Sequence, residues 1–293
     1  MAIGNGQSLW SDAWQRLKTN RAAMVCLGLV LFFTMLALYG EAVYRYHDFK
    51  DITPSYQKIN LNDAYTAPGL RHWMGTDGLG RDVMARLVQG VRIAYKVGII
   101  TSLIAIPIGV FFGCLAGYFG GRVDDFVVWL YSTFASMPGL LFILAIAMVV
   151  GKGLLGIYLG IGLTTWVGLC RLVRGEVIKH KGQPYIQAAK ALGLGSGRII
   201  FKHILPNISH VIIVTFTLRF PAAVGTEVFM SFLGIGVQGE PSWGLMINSA
   251  RMRLWQGMWW EMTFVTLAVF LLVLAFNLLG DALRDALDPR LND

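Results

Sequence analysis

The chain has 293 residues, 55% of them hydrophobic and only 14% charged, with a formal net charge of +8. A water-soluble domain carries about 25% charged residues, so a soluble globular enzyme is excluded and lipid is the expected solvent. Cys26, Cys114 and Cys170 all lie in apolar stretches, and they offer neither a closed disulfide framework nor metal-ligand spacing.

In chain order, Trp10, Ala13, Trp14 and Leu17 recur at i, i+3, i+4 and i+7 behind Ser8, a candidate cap. The spacing predicts an amphipathic helix at the membrane interface within residues 1–21. The apolar window 22–40 then predicts a first transmembrane helix over 22–43, longer than a signal-peptide core and read as retained. Residues 44–94 form the longest polar stretch and close on Gly75-Thr76-Asp77-Gly78-Leu79-Gly80-Arg81-Asp82. A tight turn stabilised by Asp77 and Arg81 is one reading of that stretch, and contact of Asp77, Arg81 and Asp82 with a partner protein is the other.

Windows 97–121, 126–151, 153–170 and 262–280 contain no Asp, Glu, Lys or Arg, and 209–236 is interrupted only by His210, Arg219 and Glu227. Each window is near the ~20 residues that carry a helix across a ~30 Å hydrocarbon core. A backbone in lipid must satisfy its own hydrogen bonds, so the fold expected is an all-α polytopic membrane protein with six transmembrane helices. Gly109, Gly113 and Gly117 mark a small-residue stripe where another helix can approach closely. Pro138, after Ser132, Thr133 and Ser136, predicts a kink in the third span. Trp255, Trp259 and Trp260 are expected at the outer interface ahead of the last span, and Leu283 to Arg290 reads as a short amphipathic helix stopped by Pro289.

Orientation follows from the basic residues. Arg171, Arg174, Lys179, Lys181, Lys190, Arg198 and Lys202 in the 171–208 loop face one acid, Glu176, and Arg16, Lys18 and Arg21 precede the first span. The positive-inside rule puts both segments in the cytoplasm, and an even number of spans returns the C-terminus to the same side. The positive charge is thereby explained by topology, without nucleic acid as a partner.

The 171–208 loop is also more elaborate than a reversal between spans requires. Pro184 suits the first turn of a helix and Gly193 its C′ position. Between them Tyr185, Ala188, Ala189 and Leu192 are expected on one face, with the alanines leaving its centre bare for a partner's groove. Residues 198–205 predict a further helical turn before Pro206.

At these residues the chain resembles a known family. Ala188, Ala189, Gly193, Ile204 and Pro206 match the EAA loop of ABC-importer permeases, with Gln187 where the pattern has glutamate. Gly75 to Asp82 is similar to a signature of the C-type permease in the oligopeptide/dipeptide/nickel branch. Ser231 to Gly236, Pro241-Ser242-Trp243-Gly244 and the Leu283 to Arg290 tail fit the same branch. The resemblance implies a type I importer permease with a MetI-like core over 95–283, including a coupling loop at 175–208, an added N-terminal span and a cytoplasmic tail at 284–293. It implies location in the bacterial cytoplasmic (inner) membrane. Its partners would be membrane lipids, a homologous second permease, two ATP-binding subunits and an extracytoplasmic solute-binding protein.

The resemblance also implies that Tyr185, Gln187, Ala188, Ala189, Leu192, Gly193 and Pro206 belong to the surface that couples to an ATPase. Peptides are the cargo it suggests first, with nickel or another non-peptide solute as the alternative. No cofactor is expected on this chain, since ATP and magnesium would sit on the partner ATPases.

The chain's own residues agree with a non-catalytic subunit. It has no GxxxxGK[ST] phosphate loop; Gly151-Lys152 lacks the earlier glycine and the hydroxyl. Arg219 and Glu227 would each cost ~2.5–3.5 kcal/mol at a helix centre, so both must face protein or water. They fall roughly 80° apart on a helix, close enough to share a cavity face. Arg219 either meets solute in a pathway or braces a neighbouring helix, and Ser136 and Glu227 are further pathway candidates. A lone secondary transporter is disfavoured, because Glu227 is the one acid within a span and the halves do not mirror each other.

Overall fold

A computed structural model describes residues 9–287, with side chains from Trp14 onward. Its helices are α1 (Leu9–Thr19), α2 (Arg21–Lys50), α3 (Val83–Phe119), α4 (Gly121–Ala135), α5 (Gly139–Val150), α6 (Leu154–Thr164), α7 (Trp166–Lys181), α8 (Pro184–Ala191), α9 (Ser196–Ile199), α10 (Ser209–Phe232), α11 (Trp243–Arg251) and α12 (Trp260–Leu287). The helices long and apolar enough to cross a membrane are α2, α3, α6 with α7, α10 and α12, and the α4–α5 pair makes a sixth if its two arms are one span. The protein is a multi-pass membrane protein.

The helix starts have local causes. Asn20 caps α2, its side chain accepting from the Ala23 N–H at 3.2 Å, and Asp82 caps α3 by accepting from Ala85 N at 2.8 Å. Such caps satisfy donors that a first helical turn leaves free. Pro138 does more than kink its span: α4 and α5 meet at 86° across Ser136–Pro138. Proline removes an N–H and disfavours helix in the residue before it, and residues 135–140 of the bend are exposed.

The expected span boundaries shift most at α3. It starts at Val83 rather than at the charge-free window, and its 37 residues run for about 55 Å at 1.5 Å per residue. Tyr95 Oη donates to the Val30 carbonyl at 3.0 Å and lies 3.0 Å from Thr34 Oγ1, level with the middle of the first apolar window. Gln89 Nε2 donates to Gly40 O at 3.1 Å. The stretch 83–96 is therefore part of the helix bundle and not of a loop; Arg86 and Arg92 interrupt the apolar pattern but are buried and paired.

The glycine stripe meets α7, which runs parallel to α3. A Cβ on Gly109 would lie 2.9 Å from Trp166 O, on Gly113 2.8 Å from Cys170 O, and on Gly117 2.8 Å from Arg174 O. Arg174 closes this end of the pair with a two-pronged bond to Asp124 of α4, at 2.5 and 2.6 Å.

Beyond the start of α3, residues 51–82 fold into a small cap. Buried Asp77 is its hub: Oδ1 accepts from Leu79 N and Arg81 N, each at 2.9 Å. Its Oδ2 accepts from Arg81 Nε at 2.7 Å and lies 3.5 Å from Arg86 Nε. The acid–base turn expected from Gly75 to Asp82 is thus present. Trp260 departs from the interface expectation. It is 8% exposed and donates from Nε1 to Thr76 O at 3.0 Å, locking the cap to α12. Trp255 and Trp259 stay exposed.

At the other end of the bundle, Leu17 of α1 packs on Cys26, Ala275 and Leu279, so α1 lies against the last turns of α12. α12 runs unbroken to Leu287; Ser8, Pro289 and Arg290 lie outside the described residues. The bundle thus has a loop end, holding α1, α8 and the close of α12, and an opposite cap end.

Because Gly113 faces a backbone carbonyl, a larger side chain there has no flexible neighbour to displace. Gly113→Val is expected to cost about 1–3 kcal/mol or more by overpacking. It should lower the thermal midpoint of the detergent-purified protein, whereas Gly139→Ala, at a position open within 4 Å, should leave it unchanged.

Candidate functional site

The loop helix α8 is built on its own chain. Ile186 and Ala189 are buried against Cys114 and Tyr118 of α3, Val173 and Val177 of α7, and Ile199, Ile200, Ile204 and Ile208 on the helical return of the loop. Pro184 occupies the first turn, and Gly193 takes the left-handed conformation at φ +75°. Leu194 N then donates to Ala189 O at 3.1 Å, the bond that closes a helix on a C′ glycine. α9 continues into a π-helical turn, Ile200–Ile204, before Pro206.

This packing corrects the expected face. Tyr185, Ala188 and Leu192 are exposed, Tyr185 by 40% and Leu192 by 80%, and Gln187 is exposed beside them. Ala189 is turned inward with Ile186 and does not join them. Sequence spacing could not choose between two overlapping stripes; Ile186, with more apolar area to bury than an alanine, sets the rotation. Polar contacts tie the helix to the end of α7. Tyr185 Oη lies 2.7 Å from His180 Nδ1, and Gln187 Nε2 donates to Lys181 O at 3.2 Å. A glutamate has no donor for that carbonyl, so Gln187 makes a contact that the family's usual residue could not.

Arg219, on α10, is directed at Thr165, the residue between α6 and α7. Its Nη1 donates to the Thr165 carbonyl and its Nη2 to Thr165 Oγ1 at 2.5 Å. A break between helices leaves carbonyls unpaired, and the guanidinium satisfies one of them. These bonds are the kind the bracing reading expects. Glu227, also on α10, is buried and accepts from Ser231 Oγ at 2.6 Å. Ser136 sits exposed in the α4–α5 bend, donating to Thr133 O at 2.8 Å. The pathway candidates are thus held by separate neighbours.

Sequence reading missed a cluster at the cap end. Arg92 is 1% exposed, bonds Glu240, lies 3.5 Å from Glu41 and stacks 3.9 Å from the Tyr44 ring centre. Lys96 reaches Glu41 at 2.8 Å. The available signal was Arg86, Gln89, Arg92 and Lys96 recurring at helical spacing among Val, Ile and Tyr residues, a mixed pattern that resembles a polar loop when only charge-free windows are counted.

With this geometry in hand, the comparisons with known proteins define the class. Residues 109–293 match the family of binding-protein-dependent transport system inner membrane components, and residues 8–68 match the N-terminal transmembrane domain of oligopeptide transport permease C. The chain belongs to this family of ABC-importer permeases, in its C-type branch.

Among its relatives, the dipeptide transport system permease protein DppC of Bacillus subtilis is 40% identical, over 97% of this chain and 87% of that one. The oligopeptide transport system permease protein OppC of the same organism is 36% identical, over 97% and 90%. The glutathione transport system permease protein GsiD of Pectobacterium atrosepticum is 35% identical, over 96% and 91%. A solved structure of the MetNI methionine ABC transporter in inward-facing conformations aligns with a TM-score of 0.55 at 18% identity, over 70% of this chain and 98% of that one. That likeness establishes the MetI-like fold alone.

Arg219→Met leaves the Thr165 carbonyl without its donor at the helix break, a loss expected at about 1–3 kcal/mol. Arg219→Lys, which keeps one donor, should recover part of it. The thermal midpoints of the two purified variants check this, and equal midpoints for Arg219→Met and the parent would remove the bracing role.

Proposed function

We propose that this chain is the translocating permease subunit of an importer for oligopeptides or dipeptides, with α8 as the helix that docks on a partner ATPase. The exposed Tyr185–Ala188–Leu192 surface, standing on a rigid base made by its own chain, is the observation that carries the docking assignment. The cargo assignment is supported by relatives named for dipeptide, oligopeptide and glutathione transport. The chain sits in the bacterial cytoplasmic membrane with its loop end inside, where the basic residues of 171–208 and the N-terminus lie. It works with a second permease, two ATP-binding subunits and a solute-binding protein at the cap end. ATP and magnesium are bound by the ATPases, and this chain hydrolyses nothing.

The mechanism follows from what α8 touches. Closure of the ATPases on ATP shifts the exposed face. Ile186 and Ala189 carry that displacement into Cys114 and Tyr118 of α3 and into Val173 and Val177 of α7. Because α3 and α7 meet backbone to backbone along the glycine stripe, they move as one body, and the permease rocks against its partner to open the cap end for solute.

Ala188→Glu and Leu192→Asp place charge on the docking face without entering the core. Both are expected to leave the permease in the membrane and to lower uptake at least about tenfold, the change produced by loss of 1.4 kcal/mol of contact, with less ATPase co-purifying. Ala189→Glu should act differently, by burying a charge and unseating α8. Normal uptake and normal ATPase recovery in both surface variants would sink the docking assignment.

A further inference from the structure

Buried polar atoms without a hydrogen bond concentrate at one place in this fold. Tyr56 Oη, Gln89 Oε1, and Arg92 Nε and Nη1 all belong to the region where α2, α3 and the 233–242 segment meet. Buried groups left this way mark either trapped water or a network with a second arrangement. Arg92 is at its centre, between carboxylates on different elements. Glu240, on the segment after α10, takes the hydrogen bond from Nη2. Glu41, on α2, lies 3.5 Å from Nη1 and is itself held by Lys96 and Arg45, each at 2.8 Å.

The 233–242 segment links the end of α10 to the start of α11 and carries two left-handed glycines. Gly234 and Gly239 hold φ of +77° and +75° in open space, on either side of the part that enters the bundle. Between them Val237 inserts into a pocket bounded by Ile93 and Val97 of α3 and Ile157 of α6. Val237 N donates to Ser231 Oγ at 3.1 Å, and Gln57 Nε2 donates to Gly239 O at 3.3 Å. Val237 is not the whole hold: Gly236, Pro241 and Ser242 are buried as well, Ile235 N and Gly236 N donate to Met230 O at 3.1 and 3.2 Å, and the charged pair adds to these contacts. Separating a buried ion pair is ordinarily prohibitive because one charge is stranded. Here it is not, since Glu41 stands within reach of the Arg92 donors that Glu240 leaves free, and Glu240 itself goes to water.

We propose that Arg92 is a positioning residue for transport: through Glu240 it latches the glycine-hinged 233–242 segment across the cap end, and it passes to Glu41 when that segment lifts to admit solute. The latch stands on the geometry alone; only what lifts it rests on the importer reading above.

The test uses Val237→Cys in the assembled transporter in liposomes, probed from the cap end with a membrane-impermeant maleimide, against the buried background of Cys26, Cys114 and Cys170. In the resting complex the thiol is shielded. Adding Glu240→Gln should speed its labelling about tenfold or more at rest, the population shift expected when a charge-assisted hydrogen bond is lost. Labelling should also rise during ATP turnover with Glu240 intact, and Glu41→Gln should suppress that rise without changing the resting rate. Resting labelling that Glu240→Gln leaves unchanged overturns the latch, whatever the importer reading. A latch that Glu240→Gln releases but turnover never opens overturns its transport role instead. As a second measurement, bridging Gln57→Cys to Gln238→Cys with a short bis-maleimide should stop uptake, and uptake at the unbridged rate would also overturn the proposal.

Discussion

The architecture depends on how closely other elements approach α3. Along its length, a Cβ on Gly90 would strike the Trp243 ring of α11, one on Gly98 the Phe220 ring of α10, and those on Gly109, Gly113 and Gly117 the carbonyls of α7. In lipid there is no hydrophobic drive to bring helices together, so association comes from van der Waals contact and from hydrogen bonds. Removing side chains at those points is what lets the backbones and rings meet. Trp243 illustrates the outcome: its ring fills the space above Gly90 while its Nε1 donates to Leu87 O at 3.2 Å. Dispersion and a hydrogen bond are won at one site.

Charge is then placed where this spine can neutralise it. Asp77 with Arg86, Arg92 with Glu240 and Glu41, and Asp124 with Arg174 each join different elements. A buried pair of this kind adds little net stability over an apolar core, because desolvation offsets attraction. Its effect is selective: an incorrect register would leave a charge without its partner. The pairs therefore restrict how the cap and α4 can sit on the bundle more than they strengthen it. The Arg92 site differs in that one guanidinium has two carboxylates within reach, on different elements.

The loop helix and the cap are linked by the same rod. Cys114 and Tyr118 near one end of α3 touch α8, and Asp82, Arg86 and Arg92 near the other end touch the cap and the segment after α10. α3 is one continuous 37-residue helix packed on α7 over its second half, so displacement at α8 has a direct route to the opposite face. Pro107 lies inside α3 between the Gly98 and Gly109 contacts, and α7 and α10 support both sides of it.

Much of this was legible in the residues. Charge-free windows reported the spans because a transmembrane helix is a matter of length and composition. The α3 glycines and the Pro184–Gly193 punctuation reported close packing and a capped helix, because both are local backbone requirements. The Asp77 turn was legible for the same reason. Three features were not: the true start of α3, the inward rotation of Ala189 and the burial of Trp260. Whether an arginine in an apolar stretch ends a span depends on a carboxylate supplied from elsewhere, here by Glu41 and Glu240. Which stripe of a short helix is buried depends on what lies beneath it. Whether a tryptophan faces lipid or donates to Thr76 O depends on a segment far away in the chain. Solvent, class of fold and loop punctuation could be read residue by residue, since these are properties of single segments; which charges pair and which faces stay free emerged with the folded chain, since these belong to pairs of segments and no single stretch encodes them.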